Sequence, residues 1–181
     1  MEQPLDEELA KRVQNSDQEA FAVLVERYEE KIRRYGKKFL ANGHDIEDLV
    51  QDIFLKAYVN IQSFNISMKF SPWIYRIAHN EYINAMKKNS RLPLLAFDMD
   101  ALFPNLFAPE TADQAAQDRE LRELVDRGLE KLEAKYREPL VLYYMEDLSY
   151  QEISDVLRVP IATIGVRINR AKKLLHHVYN A

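Results

Sequence analysis

Near the C-terminus, residues 148–174 read LSYQEISDVLRVPIATIGVRINRAKKL, and no other stretch restricts the fold so tightly. Ser149 followed three residues later by Glu152 is a capping box: hydroxyl and carboxylate each satisfy a free N–H at the start of a helix. It predicts a short helix that buries Ile153, Val156 and Leu157. Arg158-Val159-Pro160 breaks that helix, and a second one opens at Ile161. There Ile161, Ile164, Ile168, Ala171 and Leu175 recur at helical spacing as one apolar stripe. The opposite side carries Ala162, Val166, Asn169, Arg170 and Lys173, flanked by Arg167 and Lys172, and no acidic residue follows Ile161. Two short helices joined by a tight turn, the second basic on its outer face, read as a helix-turn-helix suited to the DNA major groove. An ordinary helical hairpin with a solvated basic face fits the same pattern.

The rest of the chain agrees with an all-α fold. Only four glycines occur among 181 residues, and strand-like alternation is absent. A hydrophobic content of 47% suffices for burial, and 30% charged residues with a net charge of −4 describe a soluble protein. An acidic total argues against non-specific coating of nucleic acid, yet leaves room for local basic faces. With no cysteine there is no disulfide, thiolate metal site or cysteine nucleophile. His44, His79, His176 and His177 lack metal-ligand spacing, and no nucleophile motif appears. No catalytic residue, metal site or cofactor is therefore expected. No apolar run reaches membrane-spanning length, and Met1-Glu2 opens an acidic segment rather than a signal peptide. A cytoplasmic protein without membrane insertion is the expectation.

In chain order, Leu5 to Val13 predicts a short amphipathic helix. Ser16 with Glu19 suggests a second capping box, opening a helix that carries Phe21, Leu24, Val25, Tyr28, Ile32, Tyr35 and Phe39 and stops near Asn42-Gly43. Asp45 is placed to cap a third helix, running to about Ile61, with Val50, Ile53, Phe54, Ala57 and Ile61 facing inward. Asp48, Gln51, Asp52 and Leu55 cluster on its other side. Such a face is usually just solvated, although Leu55 amid charge also suits a protein interface. Residues 62–70 form a polar loop containing Phe64, Met68 and Phe70. Ser71 as N-cap and Pro72 at the first helical position then predict a helix with Ile74, Ala78 and Ala85 inside. Trp73, Arg76, Asn80, Asn84 and Lys87 share a face about 80° wide at the helical step. Aromatic, guanidinium, amide and ammonium groups together suit stacking on unpaired bases and neutralising phosphates; equally, Trp73 can be a core residue and the amides incidental.

Residues 92–117 hold Pro93, Pro104 and Pro109 and are too long for a loop within one compact domain. They predict a linker between a domain at 1–91 and another at 118–181. Leu94, Leu95, Phe97, Leu102, Phe103, Leu106 and Phe107 would rest partly on the domains. Helix returns at Asp118 to Leu132 and at Ala134 to Tyr144, the latter carrying Pro139.

Three segments in order, DIEDLVQDIFLKAY at Asp45 to Tyr58, FSPWIYRIAHNEYINAMKKN at Phe70 to Asn89 and the helix-turn-helix, carry a resemblance over nearly the whole chain outside the linker. The chain resembles the sigma-70 superfamily, in its group-four, extracytoplasmic-function (ECF) branch: a sigma-two helical bundle, a linker and a sigma-four helix-turn-helix domain. The resemblance implies that Asp48, Leu49, Gln51, Asp52 and Leu55 contact core RNA polymerase. It implies that the loop Phe64 to Lys69 and the helix from Trp73 open the minus-ten promoter element. There a flipped non-template base would meet Phe64 and Asn80, with Trp73 beside them, while Lys56, Lys69, Arg76, Asn84, Lys87 and Lys88 hold the melted strand. It also implies that Ala162, Thr163, Gly165, Val166, Arg167, Asn169, Arg170 and Lys173 face the minus-thirty-five duplex. Members held inactive by an anti-sigma factor make such a protein a candidate partner. Two positions depart from the family pattern. Arg158 stands where glycine is frequent, and Gly165-Val166 replace a basic and a small polar residue, which predicts a permissive upstream preference. A self-sufficient repressor or activator using only the C-terminal motif is the competing reading; it has no use for the acidic helix or the Trp73 face.

Overall fold

The computed structural model describes residues 4–37, 43–88, 128–129 and 132–179, with backbone alone at 43–45, 86–88 and 176–179. Among them are seven α-helices and one 3-10 turn. The chain divides into two compact units, Met1–Leu95 and Ala96–Ala181. Residues 92–117, and with them the expected linker and its apolar side chains, lie outside the described residues, as do Phe39, Asn42 and 118–127.

In the first unit, α1 (Asp6–Gln14) packs on α2 (Gln18–Gly36), α2 on α3 (Gly43–Asn60), and α3 on α4 (Phe70–Lys88). At the start of α1, Glu8 accepts a hydrogen bond from the Leu5 N–H at 3.1 Å. The turn after α1 closes differently from the capping box expected at Ser16. The Ser16 N–H donates to the Val13 carbonyl and the Asp17 N–H to that of Arg12. These bonds form a Schellman stop with Ser16 left-handed at φ 70°. Ser16 is thus consumed in ending α1, and Asp17 becomes the N-cap of α2, accepting from the Ala20 N–H at 3.2 Å. The hydrogen bond from Arg12, followed by that from Ala20, holds the Asp17 carboxyl below its usual range.

Helix α2 ends at Gly36, earlier than Asn42-Gly43, and Gly43 already belongs to α3, so Asp45 lies inside that helix instead of capping it. Arg33 ties the two helices together by bonding Glu29 and Glu30 on its own helix and Glu47 on α3, the last at 2.8 Å. Helix α4 begins at Phe70, one residue before the expected cap. Its cap comes from another element: the Phe70 N–H donates to Glu7 of α1 at 2.8 Å.

The inward positions expected on α3 are buried: Val50, Ile53, Phe54, Ala57 and Ile61. On α4, Ile74 and Ala78 are fully buried and Ala85 is half-buried. Tyrosines complete this core. Tyr35, Tyr75 and Tyr82 are buried, with edge-to-face contacts from Tyr35 to Tyr75 and to Tyr82. Each phenol needs a partner for its hydroxyl when buried. The Tyr82 hydroxyl donates to the Ile32 carbonyl at 3.0 Å, and that of Tyr28 to Asp6 at 2.5 Å. Burial first, then the Asp6 carboxylate, pushes the Tyr28 phenol well above its ordinary range.

The second unit contains α5 (Ala134–Tyr144), α6 (Tyr150–Leu157) and α7 (Ile161–Tyr179), each packed on the other two. Ile153, Val156, Ile164, Ile168 and Ala171 are buried together with Leu140, Val141, Leu142 and Leu148. Gly128 and Leu129, the described part of the helix expected before Leu132, are helical and buried. Two ends of the predicted stripes behave differently: Leu157 is half-buried and Ile161 is exposed, because each sits at the turn where its helix leaves the core.

Candidate nucleic-acid interface

Along α3, the residues opposite the core form a continuous outer face. Asp48, Gln51 and Asp52 are exposed, Leu49 is half-buried, and Leu55 is 62% exposed. Leu55 borders a shallow apolar groove of about 520 Å³ lined by Gln18, Phe21, Ala22, Phe54 and Tyr58. A leucine exposed to this degree, with Asp48 and Asp52 on the same helix face, has the composition of an interface anchor.

Where the last turns of α3 meet α4, a second cavity of about 290 Å³ opens to solvent. Lys56, Asn60 and Ser63 form one wall; Trp73, Arg76, Ile77, Asn80 and Glu81 form the other. Of the sequence face on α4, Trp73, Arg76 and Asn80 line this cavity; Arg76, Asn80 and Asn84 are exposed, and Trp73 is half-buried. Trp73 is supported from within by Phe64 and Phe70, with ring centroids at 5.2 and 5.4 Å. Trp73 belongs to an aromatic cluster and also lines an open cavity. Phe64 is only 5% exposed and sits in that cluster, not on the surface. Gln14 holds the loop in place by donating to the carbonyls of Ile61 and Phe64 at 2.8 and 2.9 Å. Lys69 is exposed; Lys87 and Lys88 continue α4, their side chains outside the described residues.

Glu81 was not among the residues singled out from sequence. Its carboxylate accepts from Lys56 at 2.5 Å across the cavity, with side-chain exposures of 15% for Glu81 and 50% for Lys56. On the helical wheel it borders the Trp73 face, but an acid looks out of place on a surface read as nucleic-acid binding. The lysine that explains it lies 25 residues earlier on another helix.

In the second unit, the capping box is present as read. The Glu152 N–H donates to Ser149 Oγ at 3.3 Å, and Glu152 accepts from the Ser149 N–H at 2.7 Å. Arg158 ends α6 in the left-handed region at φ 54° and ψ 45°, a conformation that favours glycine. The turn is held by Ser154, whose hydroxyl donates to the Val159 carbonyl at 2.7 Å. Pro160 then opens α7, its carbonyl accepting from the N–H groups of Thr163 and Ile164.

On α7, Ala162, Val166, Asn169, Arg170 and Lys173 are exposed, and Thr163, Gly165 and Arg167 are half-buried. A Cβ on Gly165 would lie 3.4 Å from the Tyr150 ring, so this position faces α6 at least as much as the groove side. Arg170 at one edge of the exposed stripe and Lys172 beyond the other each sit over a tyrosine ring of α5: Arg170 over Tyr136 at 5.5 Å and Lys172 over Tyr144 at 5.0 Å. This stacking has no counterpart in the sequence pattern, because the helices that meet are not adjacent in the chain.

Sigma-70 region 2 matches residues 24–92, and sigma-70 region 4 matches residues 122–175. The chain is 36% identical over 173 residues to the ECF RNA polymerase sigma factor SigW of Bacillus subtilis (strain 168), covering 91% of each chain. It is 34% identical over 181 residues to the ECF RNA polymerase sigma-E factor of Escherichia coli (strain K12), covering 96% of this chain and 94% of the relative. In fold it is similar to the sigma factor RpoE of Bartonella quintana, solved in complex with the anti-sigma factor NepR. That similarity has a TM-score of 0.69 at 21% identity, covering 89% of this chain and 97% of the other.

Proposed function

Because the chain belongs to the sigma-70 family, in its ECF group, we propose a division of labour among three of its surfaces in the family's task. That task is to bind core RNA polymerase, direct it to specific promoters and help melt the minus-ten element. The α3 face of Asp48, Leu49, Gln51, Asp52 and Leu55 docks on core polymerase. The α3–α4 cleft receives the melted strand, and the outer stripe of α7 lies in the upstream duplex. The protein works in the cytoplasm without chemistry of its own, and an anti-sigma factor is a candidate partner. Residues 92–117 serve as the linker between domains at 1–91 and 118–181.

The cleft carries the reading. Its wall places an indole, a guanidinium and an amide side by side, from Trp73, Arg76 and Asn80, around an open cavity of about 290 Å³. Stacking, phosphate neutralisation and base-edge hydrogen bonding are the three contacts an unpaired nucleotide offers. Base flipping costs a few kcal/mol, so melting requires the extruded base to be bound more tightly than the stacked one. Asn80 is exposed at the cavity wall and is assigned to the base edge. Phe64, buried behind Trp73, supports the stacking surface instead of touching the base. Asn84, Lys87 and Lys88 continue the strand path along α4, and Lys69 holds the strand from the loop before it.

On α7, Ala162, Thr163, Val166 and Asn169 are the residues near base edges, and Arg167, Arg170, Lys172 and Lys173 bind phosphates. Ala162 and Val166 can touch a thymine methyl but cannot hydrogen-bond a base. The upstream preference is accordingly permissive, with specificity weighted to the minus-ten element.

Asn80→Ala should lower open-complex formation by about 1–3 kcal/mol, the value of one base contact, while closed-complex formation stays at the wild-type level. Permanganate reactivity of melted thymines and filter retention of closed complexes separate the two. Equal losses in both would make Asn80 structural.

A further inference from the structure

We propose that Glu81 is a specificity-determining residue of the α3–α4 cleft: it admits a base bearing an exocyclic amino group and disfavours thymine. The inference rests on the assignment of that cleft to the melted strand.

Eight residues line the cavity, and Glu81 is the carboxylate among them, beside the cations Lys56 and Arg76. A strand-binding cavity gains nothing from a carboxylate if only phosphates enter it. Glu81 is also held in place: it is 15% exposed and bridged to Lys56 through Oε2. An ionised carboxylate is an acceptor only, with room for more than one donor, so Glu81 can serve Lys56 and a base together.

The bridge presents an acceptor and a donor next to each other. Cytosine and adenine offer an amino N–H beside an acceptor ring nitrogen, which match Glu81 and Lys56 in that order. Guanine offers two adjacent N–H donors to the carboxylate and a carbonyl to the ammonium. Thymine has one ring N–H between two carbonyls; pairing that N–H with Glu81 leaves one carbonyl beside the carboxylate without a donor. A phosphate brings no donor for Glu81, so it is left to Arg76, the other cation of the cavity. The carboxylate thus orients the strand so that a base edge, rather than a phosphate, meets Glu81. The same bridge occupies Lys56, which as a free cation would neutralise a strand phosphate.

The test uses the full-length protein, the wild type and Glu81→Gln, with single-stranded minus-ten oligonucleotides carrying each of the four bases at every position in turn. Wild type should show one position at which thymine binds on the order of tenfold more weakly than the other bases, the discrimination expected of a lost base-edge pair. Glu81→Gln should flatten that difference. It should also steepen the salt dependence, by about 0.7 in log affinity per log salt, as Lys56 becomes free to contact a phosphate. Retention by Glu81→Gln of both the base preference and the salt slope overturns the proposal while leaving the cleft as the strand site. Wild type that binds no single strand under conditions where it forms holoenzyme overturns the cleft assignment and the proposal together.

Discussion

Gly36 is the last residue of α2, and a Cβ there would lie 2.4 Å from Cζ of Tyr82. The Tyr82 ring cannot swing away: it is fully buried, stacks edge-on to Tyr35, and donates its hydroxyl to the Ile32 carbonyl one turn earlier on α2. Gly36→Ala gains less than about 1 kcal/mol of helix propensity at a helix end. Overpacking a dense core costs about 1–3 kcal/mol. The net effect should be destabilisation, read as a lower urea midpoint with an unchanged slope. Adding Tyr82→Leu should cost less in the Gly36→Ala background than in the wild type, because there it also relieves the clash. Strict additivity of the two would show that the contact is not limiting. The close approach was not legible in the sequence, where Gly36 looks like one more residue of a helix expected to continue toward Asn42-Gly43. Ser149 and Glu152 were legible because both halves of their bonds lie within four residues. Ser16 was misleading for a related reason: the carbonyls of Arg12 and Val13, which fix its turn, belong to the helix before it.

At the scale of elements, periodicity located the helices and their inner faces well, since burial follows the helical repeat directly. What periodicity does not carry is which helix meets which. Glu7 capping α4, Glu81 bridging to Lys56 and the tyrosines of α5 under the cations of α7 all join elements distant in the chain. The α5–α7 pairing has a consequence for duplex binding. Arg170 and Lys172 sit about 80° to either side of the Ala162–Val166–Asn169 stripe, where the two phosphate backbones bordering a major groove would pass. Stacking on Tyr136 and Tyr144 restricts their rotamers before DNA arrives, and ordering such a side chain costs about 0.5–1.5 kcal/mol. Tyr136→Leu and Tyr144→Leu should each weaken holoenzyme binding to the upstream duplex by a few-fold. Tyr136→Phe should stay close to wild type because the ring face is kept, whereas Tyr144→Phe also removes the hydroxyl that hydrogen-bonds Lys172. The salt slope should hold, since the phosphate contacts themselves remain. Equal loss in Tyr136→Leu and Tyr136→Phe would assign that effect to the hydroxyl instead.

For the whole molecule, the two compact units carry three surfaces of different character: an acidic, leucine-centred face on α3, an amide-and-cation cleft between α3 and α4, and a basic stripe on α7. A self-sufficient DNA-binding regulator needs only the last. The acidic face would then be plain solvated surface, whereas a polymerase subunit depends on it. None of Asp48, Asp52 and Leu55 is buried, so charge reversal there should leave the fold intact. The most direct measurement is the affinity of core RNA polymerase for the wild type and for the Asp48→Lys/Asp52→Lys variant, with helical content measured on both. Placing like charges at a docking surface costs several kcal/mol, so affinity should fall on the order of a hundredfold or more while helicity is unchanged. A double variant that joins core polymerase with wild-type affinity would contradict the account.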